Sequence, residues 1–159
     1  MTPPAAPPDH SGVAFPPPFV YAGLFLAGYL VQRLAPVALV PGAEWVRWPG
    51  WILVAAGGAF AFTAAQTFRN AGTHVNPRKP ATTVVSHGPF RFTRNPMYVS
   101  LATVYLGVTL VVNSLWPLVC FPPAVWIISR YVIAREEAYL ERKFGHAYRD
   151  YKRQVRRWL

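Results

Sequence analysis

Two short stretches of this chain gather residue types that can hold and orient a charged ligand. Gly88-Pro-Phe-Arg-Phe-Thr-Arg-Asn-Pro-Met-Tyr98 sets an Arg/Asn/Pro/Tyr cluster where an apolar run begins. Arg135-Glu136-Glu137 sets two adjacent carboxylates where another apolar run ends. Charge at the edge of an apolar span is costly, and a chain that keeps it there usually has a use for it. Asn95-Pro96 suits a helix start, because Asn is a preferred N-cap and Pro is favoured at the first helical position. The same helix end offers free amides and a positive dipole to an anion, and Arg94 adds to both. A plain cap and an anion seat can be one object. No catalytic group is assigned by sequence; Arg94, Asn95 and Tyr98 are the candidates.

The glutamates are the sharper signal. A surface Glu on a helix usually pairs with a cation three or four residues away. Around Glu136 those positions are Val132, Ile133, Tyr139 and Leu140, and around Glu137 they are Ile133, Ala134, Leu140 and Glu141. Neutralisation must come from water, from another segment or from a cationic ligand. A pocket with a cationic side, a dicarboxylate side and the aromatics Phe90, Phe92 and Tyr98 between them would suit a ligand with both charges and a flat ring.

Other chemistries lack their residues. The single cysteine, Cys120, lies in an apolar run, and the four histidines (His10, His74, His87, His146) have no metal-ligand spacing, so no metal is expected. There is no Ser/His/Asp pattern, no Gly-rich phosphate loop and no dinucleotide fingerprint of the soluble type.

The elements that must position these residues are apolar. Hydrophobic residues make up 53% of the 159 and charged residues 14%, which fits a small polytopic membrane protein better than a soluble domain. The net charge of +10 sits mainly in the loop from Arg69 to Arg94 and after Arg130. It reads as the positive-inside bias rather than a nucleic-acid footprint. Residues 1–18 hold seven prolines and read as an extended, poorly ordered cytoplasmic tail. A single domain over 19–159 follows.

Four apolar segments are expected to span: Phe19 to Val40, Gly50 to Phe68, Pro96 to Val112, and Leu115 to Ala134. Gln32, Arg33 and Pro36 interrupt the first. Small residues at 55–59 should let a neighbouring helix approach the second. The prolines at 117, 122 and 123 predict a kink in the fourth. Only Asn113-Ser114 separates the last two segments, so they form a tight antiparallel hairpin. That hairpin puts Tyr98 and Glu136 on one membrane side, with both termini cytoplasmic. Beyond Glu136 a helix continues, with Leu140, Phe144, Tyr148 and Tyr151 at helical spacing and Gly145 as a possible break. Its basic and aromatic residues suit either the anionic leaflet or packing on its own domain. The fold class is therefore all-α, about four spans plus a C-terminal cytoplasmic helix. The loop from Asn70 to His87 is too long for a simple connector, and residues 82–85 read as a short extended piece within it.

The order Gly-Pro-Phe-x-Phe-x-Arg-Asn-Pro-Met-Tyr, Glu-Glu-x-x-Leu, Phe-Gly-x-x-Tyr-x-x-Tyr, over about residues 82–151, resembles the isoprenylcysteine carboxyl methyltransferase and phospholipid methyltransferase superfamily of integral membrane enzymes. The resemblance implies an S-adenosylmethionine (SAM) pocket facing the cytoplasm. It implies that Thr82, Thr83, Val84 and Val85 line the cofactor and that Phe90 contacts it. Asn95, Pro96, Met97 and Tyr98 would lie against it, Glu136 would bind its charged end, and Glu137 matches the second glutamate of the pair. Relatives acting on prenylcysteine carry His where this chain has Asn95. Their substrate-contacting Arg falls on Val132, with Arg130 nearby but out of register.

The expected function is methyl transfer from SAM to a lipophilic acceptor entering from the bilayer of a bacterial inner membrane. A carboxylate or thiolate acceptor is favoured because no clear base is evident. A nicotinamide-dependent membrane reductase of related fold and a non-enzymatic membrane module are the alternatives.

Overall fold

The structure, a computed structural model, describes residues 9–13, 15–76 and 79–159. Among these residues the chain is helical, with one isolated bridge between Ala38 and Ser114 and no strand. The helices are α1 (Pro17–Leu34), α2 (Arg47–Asn70), α3 (Pro96–Val112), α4 (Leu115–Ile127), α5 (Ala134–Phe144) and α6 (His146–Gln154). Short 3₁₀ turns lie at Glu44–Val46 and Gly88–Arg91, and a π-helical segment, Ile128–Ile133, joins α4 to α5.

Among the described residues two continuous helical stretches are long and apolar enough to cross a membrane, Glu44–Asn70 and Leu115–Phe144. Pro96–Val112 is apolar but shorter. Large apolar side chains on the outside of the bundle, including Leu26, Leu30, Trp51, Ile52, Phe62 and Trp126, are exposed. A soluble protein would bury such a belt, whereas hydrocarbon solvates it.

The packing rests on close backbone approach. α2 runs antiparallel to α3. A Cβ on Gly107 would sit 2.7 Å from the Gly50 carbonyl oxygen, and one on Gly57 would sit 2.8 Å from Val104 Cγ2. The neighbouring Gly58 faces open space. Within the small-residue patch expected from sequence, Gly57 therefore makes the contact and Gly58 does not. α1 runs antiparallel to α4, where a Cβ on Gly28 would come within 2.7 Å of the Pro117 backbone nitrogen.

The α3–α4 turn is as tight as its length requires. Asn113 adopts a left-handed conformation with φ 48°, which Asn tolerates better than most residues. Its amide accepts from the Val40 N–H at 2.9 Å and donates to the Val40 carbonyl at 2.9 Å. That one side chain ties the turn to the loop after α1. Tyr105 donates to the Pro117 carbonyl at 2.7 Å and closes α3 on α4.

The π segment was not foreseen. It follows Pro122 and Pro123, which lie inside α4 and lack N–H donors. Widening the helix over 128–133 changes the angular register at which the two glutamates emerge.

The leading segment differs from the expected free tail. Residues 1–8 and 14 lie outside the described residues. Pro17 and Pro18 already belong to α1. Val13 is only 5% exposed, within the core cluster of Tyr21, Tyr98 and Ile128. Arg135 donates to the Gly12 carbonyl at 3.2 Å, and the Asp9 carboxylate accepts from Lys143 and from the Tyr139 hydroxyl. Hydrogen bonds thus hold residues 9–13 against α5, and Val13 anchors the segment in the core among α1, α3 and the π segment.

Candidate functional site

The two sequence motifs meet at one end of the bundle. Tyr98 stands in the first turn of α3, and Glu136 in the first turn of α5. The Tyr98 hydroxyl donates to Glu136 Oε1 at 2.6 Å. Around this pair lies a cavity of about 400 Å³.

Its walls come from the long loop, the motif at the start of α3 and the helices around them. Thr83, Val84 and Val85 enter from the long loop, and Phe90, Asn95, Pro96, Met97 and Tyr98 from the motif around the start of α3. Glu136 and Glu137 come from α5. Pro16, Pro17 and Pro18 close one side, and Tyr148 and Tyr151 of α6 another. Burial pushes both of these α6 phenols well above the ordinary range, so they stay neutral. Tyr151 donates to the Phe90 carbonyl at 2.7 Å, and the Phe90 ring packs on Phe68 with centroids 4.5 Å apart.

The adjacent glutamates do different work. Glu137 is buried, and Arg94 Nη1 lies 3.0 Å from its Oε1. Arg157 grips the same carboxylate with Nε and Nη2. This contact, foremost through its hydrogen bonds, holds the Arg157 guanidinium above its usual range. The partner missing from the local helix is thus supplied by two distant segments. Glu136 has the Tyr98 hydroxyl and, among the described residues, no cation within ion-pair distance.

Several expectations need correction. Asn95 precedes α3, but its side chain makes no capping bond. Its amide instead donates to the Arg157 carbonyl at 2.8 Å, and Thr93 Oγ1 donates to the same oxygen at 3.1 Å. With Arg94 N–H bonded to the Arg156 carbonyl at 2.9 Å, the motif holds the C-terminal segment along its edge. The Asn95 amide is therefore a clamp, and the Arg94 charge is committed to Glu137 rather than free for an anion. Thr82 lies outside the cavity wall, because its hydroxyl donates to the Gly72 carbonyl and its N–H to Thr73. Residues 82–85 form no strand. Phe92 is 62% exposed, with Arg91 over its ring, and does not face the ligand space. Arg130 lies exposed on the π segment, away from the cavity.

Sequence reasoning also missed parts of the wall. His74, Lys79 and Tyr139 line it. Tyr139 could have been found as the i+3 neighbour of Glu136. His74 and Lys79 gave no signal, because only the folding back of the loop brings them there. Gly145 does divide the C-terminal helix, with φ 54° and ψ −119°, a region open in practice to glycine alone. The turn swings α6 back onto the motif.

A helical bundle with an apolar outer belt and a charged, aromatic cavity at one end defines a membrane protein with a ligand-sized space among its helix ends. The phospholipid methyltransferase family model matches residues 45–147, and the chain belongs to that family. The match takes in both motifs and leaves out α1 and the Arg157 segment. An uncharacterized protein of Haemophilus influenzae (strain ATCC 51907 / DSM 11121 / KW20 / Rd) is 44% identical over 63 residues, 40% of this chain and all of that protein. No solved structure matches. Family and apolar helices together make this a membrane protein of the methyltransferase class.

Proposed function

We propose that the protein transfers a methyl group from SAM to a lipophilic acceptor, with α1 to α4 as four spans and the cavity at the cytoplasmic face. The observation that carries the reading is Glu136, a carboxylate on the wall of an aromatic cavity with one hydroxyl partner and, among the described residues, no cation. SAM is the family's expected donor, and these residues fit it. Glu136 would take its ammonium. Phe90 and Tyr148 offer ring faces for the sulfonium and the adenine. When bound, SAM supplies a methyl already activated by positive sulfur.

The chain's own residues bind, orient and exclude water. Tyr98 fixes the Glu136 carboxylate in one rotamer. The Arg94–Glu137–Arg157 triad fixes the position of Glu136 by locking its neighbour in place. Pro16 to Pro18 and the segment at 9–13 cover the cavity and keep bulk water from competing for the donor. A carboxylate or thiolate acceptor is already ionised and needs no base. An amine acceptor is a second reading, since the family is described by phospholipid and the His74 imidazole, which can accept a proton, lines the cavity.

Isothermal titration of the purified protein with SAM tests the proposal, with Glu136→Gln alongside. Wild-type binding with a loss of about tenfold or more in the variant is expected, the scale of a charge-assisted bond of ~1.5–3 kcal/mol. Equal affinities remove Glu136 from the site. NADPH binding without SAM binding would favour the reductase. Binding of neither would leave a membrane module, although the motif edges enclose a cavity rather than a dry interface.

A further inference from the structure

A second cavity, of about 280 Å³, lies on the flank of the bundle between α1 and α3. Its lining is apolar apart from two phenols: Pro18, Ala22, Phe25, Leu101, Val104 and Val108 accompany Tyr21 and Tyr105. Pro18 and Leu101 also line the charged cavity, so the groove and the ligand space share a wall. Tyr105 has spent its hydroxyl on the Pro117 carbonyl. Tyr21 has not. Its side chain is 4% exposed, and its hydroxyl is buried without a hydrogen-bond partner among the described residues.

A buried unmade hydroxyl is a standing cost, because folding strips its water and returns nothing. Phenylalanine would fill the same space without that cost. The orphan stands one turn into α1 on the wall of the apolar groove, in the same buried cluster as Tyr98 of the polar cavity. Tyr21 lies outside the stretch matched to the family.

We infer that Tyr21 is an acceptor-binding residue. Its hydroxyl donates to an oxygen at the polar end of a single-chain amphiphile whose hydrocarbon tail occupies the α1–α3 groove. The inference rests on the proposed methyl transfer for its biological meaning and deepens it, naming the acceptor class as a long-chain molecule with an anionic or carbonyl oxygen beside the chain. Groove and hydroxyl read the two ends separately: burial of the chain gives affinity, and the hydroxyl rejects a chain with no oxygen to accept.

The test uses wild type and Tyr21→Phe in nanodiscs, with two fluorescent probes of similar bulk: cis-parinaric acid, which carries a carboxylate, and diphenylhexatriene, which carries no polar atom. The variant should hold the fatty acid about tenfold more weakly, the scale of one hydrogen bond, and the hydrocarbon unchanged. SAM affinity should be the same in both proteins. Loss of both probes means a packing role, and loss of neither means the groove is an unselective hydrocarbon contact; either result overturns the inference. A wild type that fails to bind SAM sinks the proposed function, while the probe comparison still decides the role of Tyr21.

Discussion

The Tyr98 hydroxyl reaches the Glu136 carboxylate across 38 residues of sequence, at 2.6 Å. This bond joins the start of α3 to the first turn of α5. It exists because the two-residue link Asn113-Ser114 reverses the chain and α4 with its π segment returns toward the start of α3. Removing the hydroxyl with Tyr98→Phe leaves the ring in place and frees the carboxylate to change rotamer. SAM affinity should fall about three- to tenfold, with roughly 1 kcal/mol lost from stability, the usual scale of one hydrogen bond. Calorimetry and thermal melting in detergent measure the two. An unchanged affinity would show that Glu136 is positioned without Tyr98.

The glutamate pair should split binding from folding. Glu137→Gln leaves Arg94 buried beside a neutral amide and Arg157 without its counter-charge. A loss of about 3–5 kcal/mol is expected, as when one partner of a buried ion pair is removed. Glu136→Gln, with no cation to strand among the described residues, should keep the wild-type melting temperature within a few degrees while losing SAM. Equal destabilisation by both substitutions would contradict the division of labour.

The α2–α3 seam should tolerate no added carbon. Gly107→Ala must push a Cβ against the Gly50 carbonyl, at a cost of about 1–3 kcal/mol for overpacking. Gly58→Ala, one residue from the seam-forming Gly57, meets nothing within 4 Å and serves as the control. It should be neutral or slightly stabilising, since alanine favours helix over glycine.

The contact of the leading segment should depend on acid. The hydrogen bond from Lys143, and next that from Tyr139, hold the Asp9 carboxyl below its ordinary value of 3.8. A lowered folded value means that the contact contributes fully above the ordinary carboxylate range and is lost as pH falls through the folded value. Hydrogen-exchange protection at residues 9–13, taken relative to the intrinsic amide rate at each pH, should be flat from neutral pH down to about 4, the unperturbed range, then fall below it. Asp9→Asn should show the low protection at every pH. A loss centred near neutrality would point to another group.

Much of this architecture was legible in residue pattern because it is local. Apolar runs of helical length, prolines at helix starts, a two-residue link and a glycine break each constrain the chain within a few residues of themselves. From those alone come α2, α3, the hairpin, the division at Gly145 and the meeting of Tyr98 with Glu136. The same reading recognised that Glu136 and Glu137 lack helical partners. It could not tell them apart, because Arg94 and Arg157 reach Glu137 from segments whose direction depends on how α6 folds back.

Sequence by itself determined that this is an apolar helical protein with a charged site at one end, since hydrophobic length and helix-terminal chemistry are written residue by residue. Only the tertiary structure decided which charges are spent and which remain. Asn95 became a clamp for the C-terminal segment, and Arg94 became a counter-ion. Thr82, Phe92 and Arg130 were turned away from the cavity. Tyr21 was left with a hydroxyl that has no hydrogen-bond partner among the described residues. Hydrogen bonds and ion pairs are short-range and exclusive, so a side chain's role is fixed only when the segment that claims it arrives.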